Sequence, residues 1–412
     1  MIVFEVISII IFSYLAVCTL YNLIFALASI VRVPKRYTSS EEKHRFVILI
    51  PAYKEDHVIL NTVKNVLQQD YPVHAFDVVV IADQFRQETL RELSLLQVKV
   101  IEVAFEKSTK AKSIKCALQE LPDHYYQCIL VLDADNLLGK GCLEKANHAY
   151  GSGFRVIQLH RTAKNKNTNT AILDAISEEI GNTIARKGHR AMGLSASLIG
   201  SGMVFDYSLF KDVMMSLDIE DNPAEDREIN AEILKRGFIC EYIDDGWVYD
   251  EKVQSNTVLE RQRERWISAQ MNYVKRFWIK NPLQTITTNT HYTDYAIQTL
   301  LLPRSILIVV NLIIFLISLL LLHIVRIPWR PGTIYWLFLF FICVLSLGIG
   351  VGKNITRREL KRAIFSFPVT FWSFLKALLK SSAGQREFIH TPKEFTEEGK
   401  HPSLTGKREK YF

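Results

Sequence analysis

Three long apolar runs constrain this 412-residue chain more than any other feature: residues 6 to 31, about 305 to 325 and about 333 to 352. Each has the roughly 20 residues a helix needs to cross a bilayer. Hydrocarbon offers backbone polar groups no partners, so such runs must fold as helices. No basic segment precedes the first run, and it is longer than the apolar core of a cleaved leader, so it is expected to be a retained anchor. Arg32, Lys35 and Arg36 follow the first run, and Lys353, Arg357, Arg358, Lys361 and Arg362 follow the third. By the positive-inside rule both flanks are cytoplasmic and the N-terminus faces out. Arg326 and Arg330, in the RIPWRPG turn between the second and third runs, go against that bias.

The middle of the chain is of a different kind. Residues 45 to 280 have ordinary soluble composition, with short β-rich runs alternating with polar helical stretches. FVILI (46 to 50), DVVVIA (77 to 82), VKVIEV (98 to 103), CILVLD (128 to 133) and FRVIQL (154 to 159) are strand candidates. Helical stretches between them predict βα units and a largely parallel sheet buried on both faces. Ligands of such sheets bind at the carboxyl ends of the strands. The net charge of +7 sits mainly beside the apolar runs, with no basic and aromatic interleaving across a face, so a nucleic-acid partner is not expected. Six cysteines show no CxxC pair and no metal-like spacing with histidine, which speaks against a disulfide framework and a zinc site. QRERWISAQMNYVKRFWI, with Trp266, Met271, Val274, Phe277 and Trp278 near helical spacing among basic residues, predicts a helix lying in the membrane interface. Residues 363 to 380 predict another, followed by a charged cytoplasmic tail.

Three clusters can carry chemistry. Asp133 and Asp135 follow the strand CILVL, where two carboxylates can converge on a hard cation; a polar turn at a strand end would look the same. Glu225 and Asp226 sit where a helix is expected to start; they could serve the helix dipole or act as a general base. Gln262, Arg265 and Trp266 share one helical face, suited either to a diphosphate and a sugar ring or to lipid headgroups.

In this order, the clusters resemble the membrane-bound branch of glycosyltransferase family 2, which includes cellulose, chitin and hyaluronan synthases and ceramide glucosyltransferase. FVILIPAYKED looks like the family's opening strand and PAYNE-type turn, with Lys54 in place of Asn; NVLQQDYP fits the helix end that follows. Tyr53 and Glu55 match positions that hold the nucleotide base. Asp83 falls where the family has a base-binding aspartate, without the usual DxSxD continuation. Lys110 in STKAKSIKCAL looks like the lysine near the phosphates. Asp133 and Asp135 match the DxD pair, and Gln158 and Arg161 its VQxxR strand end. Gly200, Ser201 and Gly202 in GSGMVF resemble the loop lining the acceptor end. Glu225 and Asp226 match the TED motif with Ala224 in the Thr position. RQRERW matches QxxRW, and EFIHTPK resembles the EFVRTPK of mannan-synthase-like members.

The resemblance implies a GT-A-type α/β domain at 45–260, an anchor at 1–34, the QxxRW and interfacial helices at 261–304, two transmembrane helices at 305–352, and an interfacial helix with a tail at 353–412. It implies an integral membrane protein of a bacterial inner membrane with its catalytic domain in the cytoplasm. Asp135 would hold Mg²⁺ or Mn²⁺, Asp133 would contact the nucleotide, and Asp226 would be the base of an inverting transfer. The donor would be a nucleotide-sugar, a UDP-sugar first. The acceptor would be a growing β-linked polysaccharide or, alternatively, a lipid that receives one sugar. Three spans are few for a polymer channel, so export would call for a homo-oligomer or a helper subunit.

Overall fold

The computed structural model describes residues 2–31, 37–220, 222, 224–325 and 330–366. Its centre is an eight-stranded sheet of β1 (Phe46–Tyr53), β2 (Phe76–Asp83), β3 (Lys99–Val103), β4 (Cys128–Val131), β5 (Leu137–Leu138), β6 (Val156–Ala163), β7 (Met203–Asp206) and β8 (Cys240–Asp250). The strand order is β3-β2-β1-β4-β7-β6-β8-β5. The block β3-β2-β1-β4 is parallel, β7 is antiparallel to both neighbours, β6 and β8 are parallel, and β5 pairs antiparallel with β8. The sheet is mixed and mostly parallel.

Alternation along β1 shows why its sequence is an unbroken apolar run. Phe46, Ile48 and Ile50 point to one face, against Val78, Val80 and Val63. Val47 and Leu49 point to the other, against Val79, Ile81, Ile114 and Phe210. Helices cover both faces, so Phe46 to Ile50 and Ala52 are buried, and only Pro51 and Tyr53 at the cleft end are partly exposed.

All five expected strands form, within a few residues of their expected ends. Three more were not foreseen, and each has a local reason. β5 is only two residues long. β7 follows directly on the glycine loop, so GSGMVF is half loop and half strand. β8 carries Asp244, Asp245 and Gly246 at its middle, a turn-like composition, and there its pairing with β6 slips between Leu159 and His160.

Among the described residues, three helices are long and apolar enough to cross a membrane: Val3–Ile30, Arg304–His323 and Thr333–Gly350. Leu15, Cys18, Phe25, Leu307, Trp336 and Cys343 from these helices share one core with Ile172, Ile180 and Ile184 of the soluble part. Their outward faces stay apolar and exposed, as at Ile10, Val17, Leu316, Phe338 and Phe341. Helix Ile2–Ile30 approaches the soluble part so closely that a Cβ on Gly188 would collide with the Phe25 carbonyl. Gly350 meets Ile180, and the segment after it donates from Asn354 Nδ2 to Glu179 Oε2 at 3.0 Å.

The stretch expected to lie in the membrane interface is helix Asn256–Val274, continued by a wider turn over Lys275–Lys280. Its aromatic face turns inward. Phe277 is fully buried with Tyr273, Tyr292 and Ala296, and Trp278 Nε1 donates to the Ala296 carbonyl at 3.1 Å. The apolar side chains that do face out are Met271, Ile279, Leu283 and Ile286. Residues 357–366 are helical. The rest of the expected 363–380 helix, EFIHTPK and the tail lie outside the described residues.

Candidate active site

The register of the parallel block fixes the site. Tyr53 at the end of β1 lies beside Asp83 at the end of β2, and Leu49 lies beside Val131, so Asp133 and Asp135 emerge just past the end of β4. The strand order reverses between β1 and β4, where parallel α/β sheets open a crevice. A cleft of about 880 Å³ opens at this edge. Tyr53, Glu55, Asp83, Lys110, Asp133, Asp135, Gly200, Glu225, Asp226, Gln262, Arg265 and Trp266 all line it. Ser201 and Gly202 do not.

These two residues build the wall from behind. Ser201 is fully buried; its hydroxyl accepts from the Asp133 N–H at 3.0 Å and donates to Asn136 Oδ1 at 2.6 Å. Gly202 has φ +67°, and a Cβ there would meet Val248 Cγ2 at 2.8 Å, so both backbone and space require glycine. Buried Gln158 clamps the same loop: Nε2 donates to the Ser201 carbonyl and Oε1 accepts from the Ile199 N–H.

Lys110 is the hub. It opens helix Lys110–Glu120, and its Nζ donates to Asp133 Oδ1 and to the Gly200 carbonyl, both at 2.5 Å. Burial works against its charge, but Asp133, Glu225 and Asp226 outweigh that and raise its pKa. Asp226 Oδ2 lies 3.6 Å from where a Gly200 Cβ would be. Glu225 and Asp226 start helix Glu225–Lys235, whose N-cap Ala224 offers no side-chain oxygen. Burial pushes the Glu225 carboxyl up to about 7; Asp226 and Asp133 add to this, and Lys110 opposes it. Arg265 faces the same two acids, and burial lowers its pKa from the ordinary value.

Asp83 is fully buried; among the described residues neither carboxylate oxygen has a partner at full hydrogen-bond geometry, though Ser108 and the Phe105 backbone lie near enough to favour its charge. Burial raises its pKa, offset only in part by Ser108, the Phe105 backbone and Lys54. Trp266 carries the Arg263 guanidinium over its ring, 4.4 Å from the centroid, and Arg263 in turn pairs with Asp174 at 3.0 Å.

Asp250, Lys252 and Glu178 were missed by sequence reasoning; Arg161, the arginine of the VQxxR strand end, joins them in one row. Ala163 and Asp250 are partners at the ends of β6 and β8, and Asp250 Oδ2 accepts from Lys252 Nζ at 2.7 Å. Asp250 Oδ1 accepts from Asn136 Nδ2 at 2.9 Å, which ties this row to the DxD turn. Arg161 holds Glu178 at 3.0 Å through Nε, and Lys252 also reaches Glu178. The signal was DEK directly after a strand, hidden because the strand itself was not recognised. Arg186, Tyr295 and Arg304 also line the cleft.

A sequence family described as glycosyltransferase like family 2 matches residues 44–269. The chain belongs to this family. The fold of this glycosyltransferase is similar to that of the mannosyltransferase PcManGT from Pyrobaculum calidifontis, solved in complex with GDP-Man and Mn²⁺. The TM-score is 0.56 at 12% identity, over 92% of this chain and 98% of that one. A structure of S. aureus TarS 1-349 in complex with UDP-GlcNAc gives a TM-score of 0.41 at 13% identity, over 82% and 89%. No curated protein sequence matches the glycosyltransferase.

Proposed function

We propose that this glycosyltransferase moves a sugar from a nucleotide-sugar to an acceptor at the membrane surface, in one metal-dependent, inverting displacement. The observation that carries the reading is the position of Lys110. It bonds Asp133 and the Gly200 carbonyl, feels the field of Glu225 and Asp226, and so joins the DxD turn to the candidate base.

The nucleotide fits the β1–β2 end. Tyr53 offers a ring, and the incompletely paired buried carboxylate of Asp83 suits the N–H groups of a base, because such a group is costly until it is paired. The diphosphate then lies toward Lys110 and Asp133. Asp135 would hold Mg²⁺ or Mn²⁺, and Asp133 beside it would contact the nucleotide. Among the described residues no three metal-ligating side chains are gathered. A hard cation that completes its shell with diphosphate oxygens and water needs no cluster of protein acids, so Asp135 fits. When bound, the ion supplies charge neutralisation for the departing diphosphate.

Asp226 takes the proton of the acceptor hydroxyl as that oxygen bonds to the anomeric carbon and the carbon–phosphate oxygen bond breaks. One displacement inverts the configuration, so an α-linked donor gives a β-linkage. Gln262, Arg265 and Trp266 line the same cleft, with Arg265 placed to offset the charge of the two acids. The family resemblance favours a UDP-sugar, and the structural neighbour bound GDP-Man, so both nucleotides belong in a donor panel.

Two acceptors fit this chemistry, a growing polysaccharide and a lipid. The cleft extends to Arg304 at the foot of an apolar helix, which favours an acceptor held in the bilayer. The basic flank Lys353, Arg357, Arg358, Lys361 and Arg362 follows the third apolar helix where Asn354 bonds Glu179 of the sheet domain, which supports a cytoplasmic catalytic domain in an inner membrane. Product length tests the choice: incubate the protein in vesicles with labelled donor and size what forms. One or two sugars partitioning into lipid supports the lipid acceptor, and a long polymer supports the polysaccharide.

A further inference from the structure

The acidic end of the cleft is matched by a cationic end that the reaction above does not use. A wider helical turn over Asn182–Gly188 carries Arg186, and Arg304 opens helix Arg304–Leu320. Both line the cleft, and both guanidinium tips converge on Gly181. A methyl group at Gly181 would touch Arg186 Nη1 at 3.4 Å and Arg304 Nη1 at 3.8 Å.

Among the described residues, neither arginine meets a neutralising acid. Arg186 is 5% exposed and donates from Nε to the Ser197 carbonyl at 3.0 Å and from Nη1 to Asn182 Oδ1 at 3.1 Å. Arg304 donates from Nε to Asn22 Oδ1 at 2.9 Å. All three partners are uncharged. Among the described residues neither arginine has a carboxylate within ion-pairing distance. Glu178, whose field reaches Arg186, is taken up by Arg161 and Lys252. Two like charges brought together on a cleft wall, one of them buried and with no acid between them, are unfavourable unless an anion completes the site. The fork of a guanidinium suits phosphate oxygens, and two forks on one point suit a single phosphate group.

The location says which phosphate. The donor diphosphate belongs with Lys110 and Asp133. Arg304 begins one apolar helix, its partner Asn22 belongs to another, and the turn carrying Arg186 is packed on Phe25 of that helix. An anion here lies at the seam between two membrane-spanning helices. Helix Thr290–Leu300 runs from Tyr295, bonded to the Arg227 carbonyl beside Asp226, to Gln298 and Thr299 next to this seam. The backbone of Gln298 and Thr299 lies about one helical turn, roughly 5 Å, beyond that of Tyr295, so one helix borders both parts of the cleft.

We propose that Arg186 and Arg304 form a phosphate subsite at the membrane end of the cleft, filled by the phosphate of a lipid-anchored acceptor. The proposal rests on the glycosyl-transfer reading above and narrows its acceptor to a phosphate-bearing lipid. The subsite holds the phosphate, the tail lies with the apolar helices, and the reacting oxygen is presented to Asp226.

The test uses the full-length protein in phosphatidylcholine nanodiscs, with Mn²⁺ and UDP or GDP present to fill the donor site. The thermal midpoint is followed against dodecyl phosphate, dodecanol and inorganic phosphate. The expected result is stabilisation by dodecyl phosphate and not by dodecanol, with apparent affinity at least about tenfold weaker in Arg304→Gln, the loss of one charge-assisted bond. Arg186→Lys, which keeps the charge and guards against misfolding, is expected to weaken it less. Equal stabilisation by inorganic phosphate at the same concentration overturns the lipid source. No stabilisation by dodecyl phosphate, equal stabilisation by dodecanol, or stabilisation that survives both substitutions overturns the subsite. The shift caused by the nucleoside diphosphate itself is read separately: its absence in the unsubstituted protein counts against the donor reading, and its presence in both arginine variants isolates the failure to the acceptor end.

Discussion

Asp226 and Glu225 are neighbours on one helical turn, yet their settings differ. Asp226 faces Gly200 across the cleft, where an acceptor oxygen would sit, while Glu225 is held up near neutrality by burial and by two other acids. Asp226→Asn is expected to lower turnover by roughly 10²–10⁴-fold, the usual worth of a positioned base, while nucleoside diphosphate binding, measured by calorimetry, stays intact. Glu225 gives a pH signature. Its folded pKa of about 7 lies above the ordinary carboxyl value, so the folded state holds the extra proton between the two. That contribution to stability is fully present below about pH 4.5 and is lost as pH rises through about 7. Glu225→Gln is expected to flatten the fall in melting temperature between pH 5 and pH 7.5 relative to the parent protein; an unchanged slope would refute the assignment. At the β1 turn, Lys54 has φ +55°, a region that asparagine tolerates better. Lys54→Asn is expected to raise the melting temperature, the change being on the order of 1 kcal/mol.

At the scale of elements, the parts legible in the sequence were those whose function coincides with strong local patterning. FVILI and DVVVIA are continuous apolar runs because both faces of the sheet are covered, and their ends carry Tyr53 and Asp83. β8 was not legible because Asp244, Asp245 and Gly246 interrupt it, and with it went the Asp250 row. Arg186 and Arg304 were out of reach for another reason: they are far apart in sequence and meet only when an apolar helix docks on the sheet domain. The inward turn of Phe277 and Trp278 follows the same logic, since helical spacing gives a face but not what covers it. Two substitutions probe elements directly. Ala224→Ser supplies the missing N-cap oxygen to helix Glu225–Lys235 and is expected to stabilise by about 1 kcal/mol in a thermal melt. Gly188→Ala would force the turn Asn182–Gly188 away from the Phe25 carbonyl, so loss of well-dispersed protein on detergent extraction is expected.

At the scale of the whole molecule, the sheet domain and the apolar helices share one core, so the cleft is fixed relative to the plane those helices would span. One end of the cleft carries the acids suited to a donor and a metal, and the other carries arginines at the seam of two apolar helices. A donor arriving from water and an acceptor arriving from the bilayer would meet at Asp226. That meeting is proposed to be glycosyl transfer. Release of nucleoside diphosphate by membranes containing the protein tests it, with a panel of UDP- and GDP-sugars supplied with Mn²⁺ or Mg²⁺ and then with chelator. The expected result is release with one donor, lost on chelation and lost in Asp226→Asn. Release that persists in the chelated sample or in that variant, or silence from every donor, would contradict it.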